Sequence, residues 1–150
     1  MEGKGRITGH TGLLALIGSP VGHSGSPAMY NYSFEKLGLD YAYVAFDIKV
    51  EEVKAALDAM RLFHMRGCNV TMPCKTEAAK YMDELSPAAR IIGAVNTIVN
   101  EDGKLIGHMT DGEGFVGNLR DHGIEIKGKK ITVAGGGGAA TAIQVQCALD

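Results

Sequence analysis

The sequence of 150 residues predicts an α/β fold with three layers, an open and mostly parallel β-sheet with helices on both faces. Short apolar runs alternate along the chain with segments whose apolar residues recur at helical spacing. Glycines or Ser-Pro pairs bound many of these segments, as helix and strand ends often require. After a polar break at 127–130 the pattern restarts, with an apolar run, a Gly-rich turn and an apolar helix.

The first half of the chain is predicted to form three strands and two helices. An apolar run at 13–17, ending before Gly18, is typical of a buried parallel strand. A helix should begin with Ser26 as N-cap and Pro27 in the first turn, and end at Gly38. The other elements of this half are a strand at 41–46, a helix at 50–63 and a short strand at 68–70.

The second half adds short helices, a hairpin and the restarted pattern. The predicted helices cover 76–82, 86–93 and 111–122, and three glycines weaken the last of these. A hairpin is expected from 95–99 and 104–106 around a turn at 100–103, and it places one antiparallel strand in the sheet. A strand at 131–134 and a helix from Ala139 should then form the first βα unit of a dinucleotide-binding domain.

Composition limits the classes of function. With 45% apolar residues and a formal charge of −2, the chain has no basic excess for nucleic acid or for a membrane surface. No apolar run reaches the roughly 18 residues of a membrane span, and the first residues lack the apolar core of a secretory signal. The three cysteines fit no metal spacing, so we expect no metal site, and reduced thiols favour a cytoplasmic protein.

Polar motifs follow the predicted strands. They lie at 69–75, 94–97 and 107–111, and they include Lys75 and Asp111 together with small hydroxyl and amide side chains. In an open α/β sheet, ligands bind where strands end. One lysine, one aspartate and several small polar groups suit a polyhydroxylated substrate from which a proton must be moved. The sequence therefore predicts an enzyme.

These motifs resemble those of the shikimate dehydrogenase family, which includes quinate/shikimate dehydrogenases. The resemblance covers the chain from about Leu14 onward and rests on five segments in order, His23-Ser24-Gly25-Ser26-Pro27, residues 69–75, residues 94–97, residues 107–111 and the Gly-rich turn at 135–138 with Ala139-Ala140. Two departures are Met109, where the family usually has Asn, and Gly136, where Ala is usual. Met109 could alter contacts beside Asp111 and so shift the choice of substrate.

The resemblance implies an oxidoreductase that interconverts shikimate and 3-dehydroshikimate, or quinate and 3-dehydroquinate, with NADP or NAD, in aromatic amino-acid biosynthesis or quinate metabolism. It implies that Lys75 and Asp111 are catalytic. The substrate-binding residues it implies are Ser24, Ser26, Thr71, Lys75, Asn96 and Asp111. The cofactor-binding residues it implies are Gly135, Gly136, Gly137, Gly138 and Ala139. A homodimer also remains open.

The residues alone leave simpler interpretations open. Lys75 could be an ordinary exposed lysine, Asp111 a helix N-cap, and the short polar side chains turn or cap residues. If Lys75 and Asp111 meet, each favours the ionised form of the other. Lysine would then stabilise a forming alkoxide and donate a proton in ketone reduction. Which of the two is the base in alcohol oxidation stays open.

The predicted organisation is an arm at 1–12, a substrate-binding α/β domain at 13–110, a connecting helix and linker at 111–128, and the start of a Rossmann domain at 129–150. The group that selects NAD or NADP is expected about 20 residues beyond the turn, and so after Asp150. We therefore expect the 1–150 chain alone to be inactive. Two alternatives are a non-catalytic substrate-binding module and a dehydrogenase of an amino-substituted cyclohexene acid.

Overall fold

The structure, a computed structural model, describes residues 7–150, so residues 1–6 of the predicted arm lie outside the described residues. Its strands are β1 (Gly12–Gly18), β2 (Tyr41–Asp47), β3 (Gly67–Val70), β4 (Glu84–Leu85), β5 (Thr97–Glu101) and β6 (Lys104–His108). Its helices are α1 (Ser26–Leu37), α2 (Val53–Leu62), α3 (Lys75–Ala79), α4 (Pro87–Ile92), α5 (Asp111–Asp121) and α6 (Gly138–Leu149), with a 3₁₀ turn at Val50–Glu52 before α2.

The strands form one sheet of six in the order β2-β1-β3-β5-β6-β4. β1 is parallel to β2 and to β3, and β4 is parallel to β6. β5 is antiparallel to both of its neighbours, as the predicted hairpin requires. The mostly parallel α/β sheet is thus confirmed, and the short edge strand β4 was not predicted.

The reversed direction of β5 brings several polar segments together at the side of the sheet that is formed by the ends of β1, β3 and β6 and the start of β5. We call this side the polar edge of the sheet. Thr97, the first residue of β5, pairs with Asn69 near the end of β3 and with His108 at the end of β6. β1 ends at the same edge, because Ile17 pairs with Val70. The segments that follow β1, β3 and β6, and the segment that precedes β5, therefore meet at this edge.

Helices cover both faces of the sheet. Ala15 and Ile17 of β1 pack into the main core, which includes Leu57 of α2, whereas Leu16 faces the other side. That second, smaller cluster contains Tyr43, whose ring stacks on Tyr30 of α1 with 4.5 Å between ring centroids. The alternation of adjacent β1 residues between two apolar layers explains why the run at 13–17 is continuously apolar.

Helix α1 departs from its predicted start. Its N-cap is Gly25, which has no side chain to accept a capping hydrogen bond. Ser26 is the first helical residue, and its backbone N–H donates to the Ser24 hydroxyl at 3.2 Å. A Ser-Pro start of the expected kind is present at α4, where Ser86 is the N-cap and its hydroxyl accepts a hydrogen bond from the Ala89 N–H. The prediction that Ser26 is the N-cap is therefore wrong, because the helix already includes Ser26 and its N-cap is Gly25.

The restarted pattern forms only in part. Helix α6 is present, but residues 131–134 are in no strand, and Ile131 is 43% exposed. A strand exists only through hydrogen bonds to a neighbour. The described chain brings no strand alongside 131–134, so the apolar run stays unpaired. Within residues 7–150, none of the helices has the length and apolar character needed to cross a bilayer.

Candidate active site

Lys75 and Asp111 meet at the polar edge of the sheet. The Lys75 Nζ lies 2.8 Å from Asp111 Oδ2, and the two side chains are 22% and 40% exposed. Lys75 is the first residue of α3 and Asp111 the first residue of α5. Lys75 is thus paired and only part-exposed, and Asp111 follows the N-cap Thr110 rather than capping the helix itself.

Backbone hydrogen bonds hold the two helix starts on either side of the segment that precedes β5. The Val95 N–H donates to the Lys75 carbonyl, and the Asn96 N–H donates to the His108 carbonyl. Cys74, the fully buried N-cap of α3, fixes the start of that helix, and its Sγ lies 3.6 Å from the Ile48 carbonyl. Burial raises the pKa of the Cys74 thiol, with a smaller contribution from nearby glutamates. The Cys74 side chain packs into the main core.

Asn96 connects to Asp111 and to the residue before it. Its Nδ2 donates to Asp111 Oδ1 at 2.6 Å and to the Thr110 hydroxyl at 3.1 Å. Its Oδ1 accepts from the Thr110 backbone N–H at 3.0 Å. The sequence predicted Asn96 as a substrate contact. In this arrangement both ends of its amide group bind the Thr110-Asp111 segment, which fixes one oxygen of Asp111 and leaves the other to Lys75.

A second polar network, which the sequence did not predict, leads from Tyr43 to Thr110, a hydrogen-bond partner of Asn96. The Tyr43 hydroxyl donates to Asn69 Oδ1 at 2.8 Å, and Asn69 Nδ2 donates to the Thr97 hydroxyl at 3.2 Å. Thr97 in turn lies 3.5 Å from the Thr110 hydroxyl. Burial is the largest cause of the raised pKa of Tyr43, which therefore stays a neutral donor. Asn69 and Thr97 belong to recognisable motifs, but nothing in the sequence around Tyr43 indicates this contact.

Ser24, Ser26 and Thr71 lie at the same edge. Ser24 and Ser26 are half-buried in the segment after β1, and Thr71 follows β3, where its N–H donates to the Ile17 carbonyl. Within residues 7–150, no hydrogen bond connects these three side chains to the lysine–aspartate pair. The structure brings the predicted residues to one edge without joining them into one network.

The Gly-rich turn at 135–138 is exposed and has open space around its backbone. Gly135 has a φ of 132°, which favours glycine, and a Cβ added at any residue of the turn would meet no atom within 4 Å. The turn leads into α6, whose N-cap is Gly137, and the first N–H groups of a helix have no partner inside it. Open space in front of such N–H groups suits a pyrophosphate. The residues present therefore fit a dinucleotide.

The structure accommodates both departures from the family pattern, Met109 and Gly136. Met109 is 6% exposed and belongs to the main core, so its side chain is a packing group rather than an exposed group beside Asp111. At Gly136 a Cβ would meet nothing within 4 Å, so alanine would fit there equally well.

The fold and the site define a class, namely α/β domains that present a lysine–aspartate pair at one edge of the sheet. Residues 16–98 match the family model described as the shikimate dehydrogenase substrate binding domain, which covers more than half of the chain. The chain belongs to this family.

Several known proteins are similar over almost the whole chain. Shikimate dehydrogenase (NADP(+)) of Listeria monocytogenes is 55% identical over 145 residues, and that of Streptococcus uberis is 53% identical over 147 residues. In both comparisons the match covers 97% of this chain and 50% of the relative. A crystal structure of shikimate 5-dehydrogenase from Listeria monocytogenes, in complex with shikimate and NAD, superposes with a TM-score of 0.94 at 55% identity, covering 97% of this chain and 50% of the other. The chain thus spans about half the length of these relatives.

Proposed function

We propose that residues 1–150 carry the substrate-binding half of a shikimate dehydrogenase and the first part of its cofactor-binding half. The observation that carries this proposal is the contact of 2.8 Å between Lys75 and Asp111 at the polar edge of the sheet. The family match and the names of the relatives support shikimate as the substrate. Quinate is a second candidate substrate, because it offers the same carboxylate and neighbouring hydroxyls.

The proposed reaction removes the proton from one ring hydroxyl of shikimate and a hydride from the carbon that bears this hydroxyl, which leaves a ketone. NADP or NAD, when bound, supplies the acceptor for the hydride. Lys75, a cation beside Asp111, stabilises the negative charge that develops on the substrate oxygen. In the reverse direction a protonated Lys75 donates a proton to that oxygen, and the neutral amine left behind is the form that takes the proton back during oxidation. The alternative is that Lys75 stays a cation throughout and orients the substrate oxygen, while Asp111 receives the proton during oxidation and returns it during reduction.

The remaining predicted residues have proposed roles in binding. Ser24, Ser26 and Thr71 are half-buried at the edge of the sheet, where their hydroxyl groups would hold the substrate carboxylate and ring hydroxyls. Asn96 would contact the substrate by exchanging its hydrogen bond to the Thr110 hydroxyl, while it keeps its bond to Asp111. The N–H groups of Gly137, Gly138 and Ala139 would bind the cofactor pyrophosphate, with Gly135 and Gly136 allowing its close approach.

The domain boundaries and the compartment are also proposals. We place the substrate-binding domain at 13–110, the connecting segment at 111–128 and the start of the Rossmann domain at 129–150, although Ala142 of α6 packs into the main core of the first domain. Three unbridged cysteines are consistent with a reducing compartment, and we propose the cytoplasm.

The proposal is tested by following cofactor reduction with shikimate, quinate and an amino-substituted cyclohexene acid, each with NADP and with NAD. A full-length protein containing residues 1–150 should oxidise shikimate, whereas the 1–150 polypeptide alone should show no measurable rate. Binding of shikimate without oxidation by the full-length protein would favour the non-catalytic binding module. Preference for the amino-substituted acid would support the other alternative.

A further inference from the structure

Helices α5 and α6 approach each other closely at Gly112. A Cβ added at Gly112 would lie 2.3 Å from the Ala142 carbonyl oxygen and 2.7 Å from the Gln146 Cβ. The nearest atom belongs to the backbone of α6, so no side-chain rotation can relieve this overlap. Ala142 is 1% exposed and also packs into the main core, so α6 has no free space behind it at this point. Glycine is therefore required at 112 by the distance between the two helices.

The two helices run in the same direction. Gly112, near the start of α5, lies against Ala142 and Gln146, and further along α5 Arg120 pairs with Asp150 at 3.0 Å. Because the contacts advance along both helices in the same order, the two helix starts lie at the same end. Asp111 is the first residue of α5, and the Gly-rich turn immediately precedes α6. Ala142 is about one helical turn from Gly138, or roughly 6 Å along the axis.

The geometry points to Gly112 as a positioning residue that sets the distance between Asp111 and the Gly-rich turn. This inference rests on the proposed function, in which the substrate lies at the lysine–aspartate pair and the cofactor pyrophosphate at the turn. A larger residue at 112 moves α6, and with it the turn, away from Asp111. Because reactions between two bound groups depend on sub-ångström placement, such a shift lowers the rate of hydride transfer more than it lowers the binding of either ligand.

The same helix provides matched controls. Gly114 and Gly117 also lie within α5, and a Cβ added at either would meet nothing within 4 Å. Substitution by alanine at any of the three positions raises helix propensity by the same amount. Only the substitution at 112 also forces the helices apart, so a difference between the variants reports the helix contact and not helix stability.

The test compares Gly112→Ala with Gly114→Ala in a full-length protein containing residues 1–150. We expect Gly112→Ala to lower kcat for shikimate oxidation about 100-fold while the KM for shikimate changes less than about threefold. Gly114→Ala should keep kcat within about twofold. A Gly112→Ala variant with the kcat of the parent would overturn the inference and leave the proposed function standing. A parent protein without shikimate oxidation would overturn both.

A graded series from the other helix keeps the test decisive if Gly112→Ala does not fold. Ala142, whose carbonyl meets Gly112, is fully buried, so Ala142→Ser and Ala142→Val add bulk beside the contact and displace α6 in small steps, with Ala142→Gly as the smallest member of the series. We expect kcat to fall in order of side-chain size, with the KM for shikimate nearly constant. A kcat that does not vary with the size of residue 142 in folded variants would contradict the role of this contact.

Discussion

At the residue scale, the main finding is that the amide group of Asn96 binds Asp111 and Thr110 at once. Its contact of 2.6 Å with Asp111 Oδ1 leaves the Oδ2 of that carboxylate for Lys75. The motif at 94–97 indicated that Asn96 matters, but the sequence could not show which neighbour its side chain selects. That choice depends on the antiparallel pairing of β5 with β6, which joins residues distant in sequence.

Asn96→Ala tests this positioning role. A hydrogen bond to a charged group contributes about 1.5–3 kcal/mol, so we expect turnover of shikimate to fall roughly 10–100-fold in the full-length protein. Asn118→Ala, on the exposed side of α5, serves as the control and should leave turnover unchanged. Steady-state kinetics at saturating shikimate gives the answer. A change in KM alone would instead make Asn96 a substrate contact without influence on Asp111.

The roles of Ser24 and Ser26 can be tested separately. If Ser24 binds the substrate carboxylate, Ser24→Ala should weaken shikimate binding by about 1.5–3 kcal/mol in a calorimetric titration. Because Ser26 caps nothing, Ser26→Ala should not cause the loss of about 1 kcal/mol in unfolding free energy that a lost cap causes. Unchanged affinity in the Ser24 variant would place the carboxylate elsewhere, and a destabilised Ser26 variant would contradict the observed helix start.

At the element scale, local patterns predicted most of the sheet. The apolar runs of β1 and β3, the Ser-Pro start of α4 and the hairpin of β5 and β6 all appear where the sequence placed them within a few residues. The failures come from pairing that local patterns do not encode. β4 has two residues and exists only because it lies along β6, while the apolar run at 131–134 has no neighbour in the described chain and forms no strand.

Asp83 ties several elements together and should make stability depend on pH. Its Oδ2 accepts from the Leu105 backbone N–H at 2.7 Å and from Arg61 at 2.9 Å, which connects the segment before β4 to β6 and α2. The Leu105 hydrogen bond, followed by that from Arg61, lowers the pKa of Asp83 below its ordinary value. This contribution is therefore fully present above pH ~4 and is lost as the pH falls through the lowered pKa.

Urea unfolding of Asp83→Asn at pH 7 and at about pH 3 measures this contribution. The variant should be less stable than the parent at pH 7, and the difference should shrink in acid because the parent loses its ionised carboxylate. Asp102→Asn, in the exposed hairpin turn, is the control and should follow the parent at both pH values. A difference between Asp83→Asn and the parent that is independent of pH would show that the carboxylate charge contributes nothing.

At the scale of the whole molecule, the sheet and helices α5 and α6 place the lysine–aspartate pair and the Gly-rich turn at the same end of the two helices. Lys75 and Asp111 lie at one edge of the sheet, and the parallel course of α5 and α6 places the Gly-rich turn at the same end as Asp111. The motifs indicated both sites, and the resemblance to a family supplied their roles. Their relative placement could not be predicted, because it depends on the close contact at Gly112.

The central claim is that Lys75 acts in the oxidation of shikimate, and turnover of Lys75→Ala in a full-length protein containing residues 1–150 tests it most directly. Lys80→Ala is the matched control, because Lys80 is a more exposed lysine, paired with Glu77, just past the end of α3. We expect Lys75→Ala to lower kcat roughly 10²–10⁴-fold, with a much smaller change in shikimate affinity, and Lys80→Ala to match the parent. A Lys75→Ala variant that oxidises shikimate at the parent rate would contradict the account.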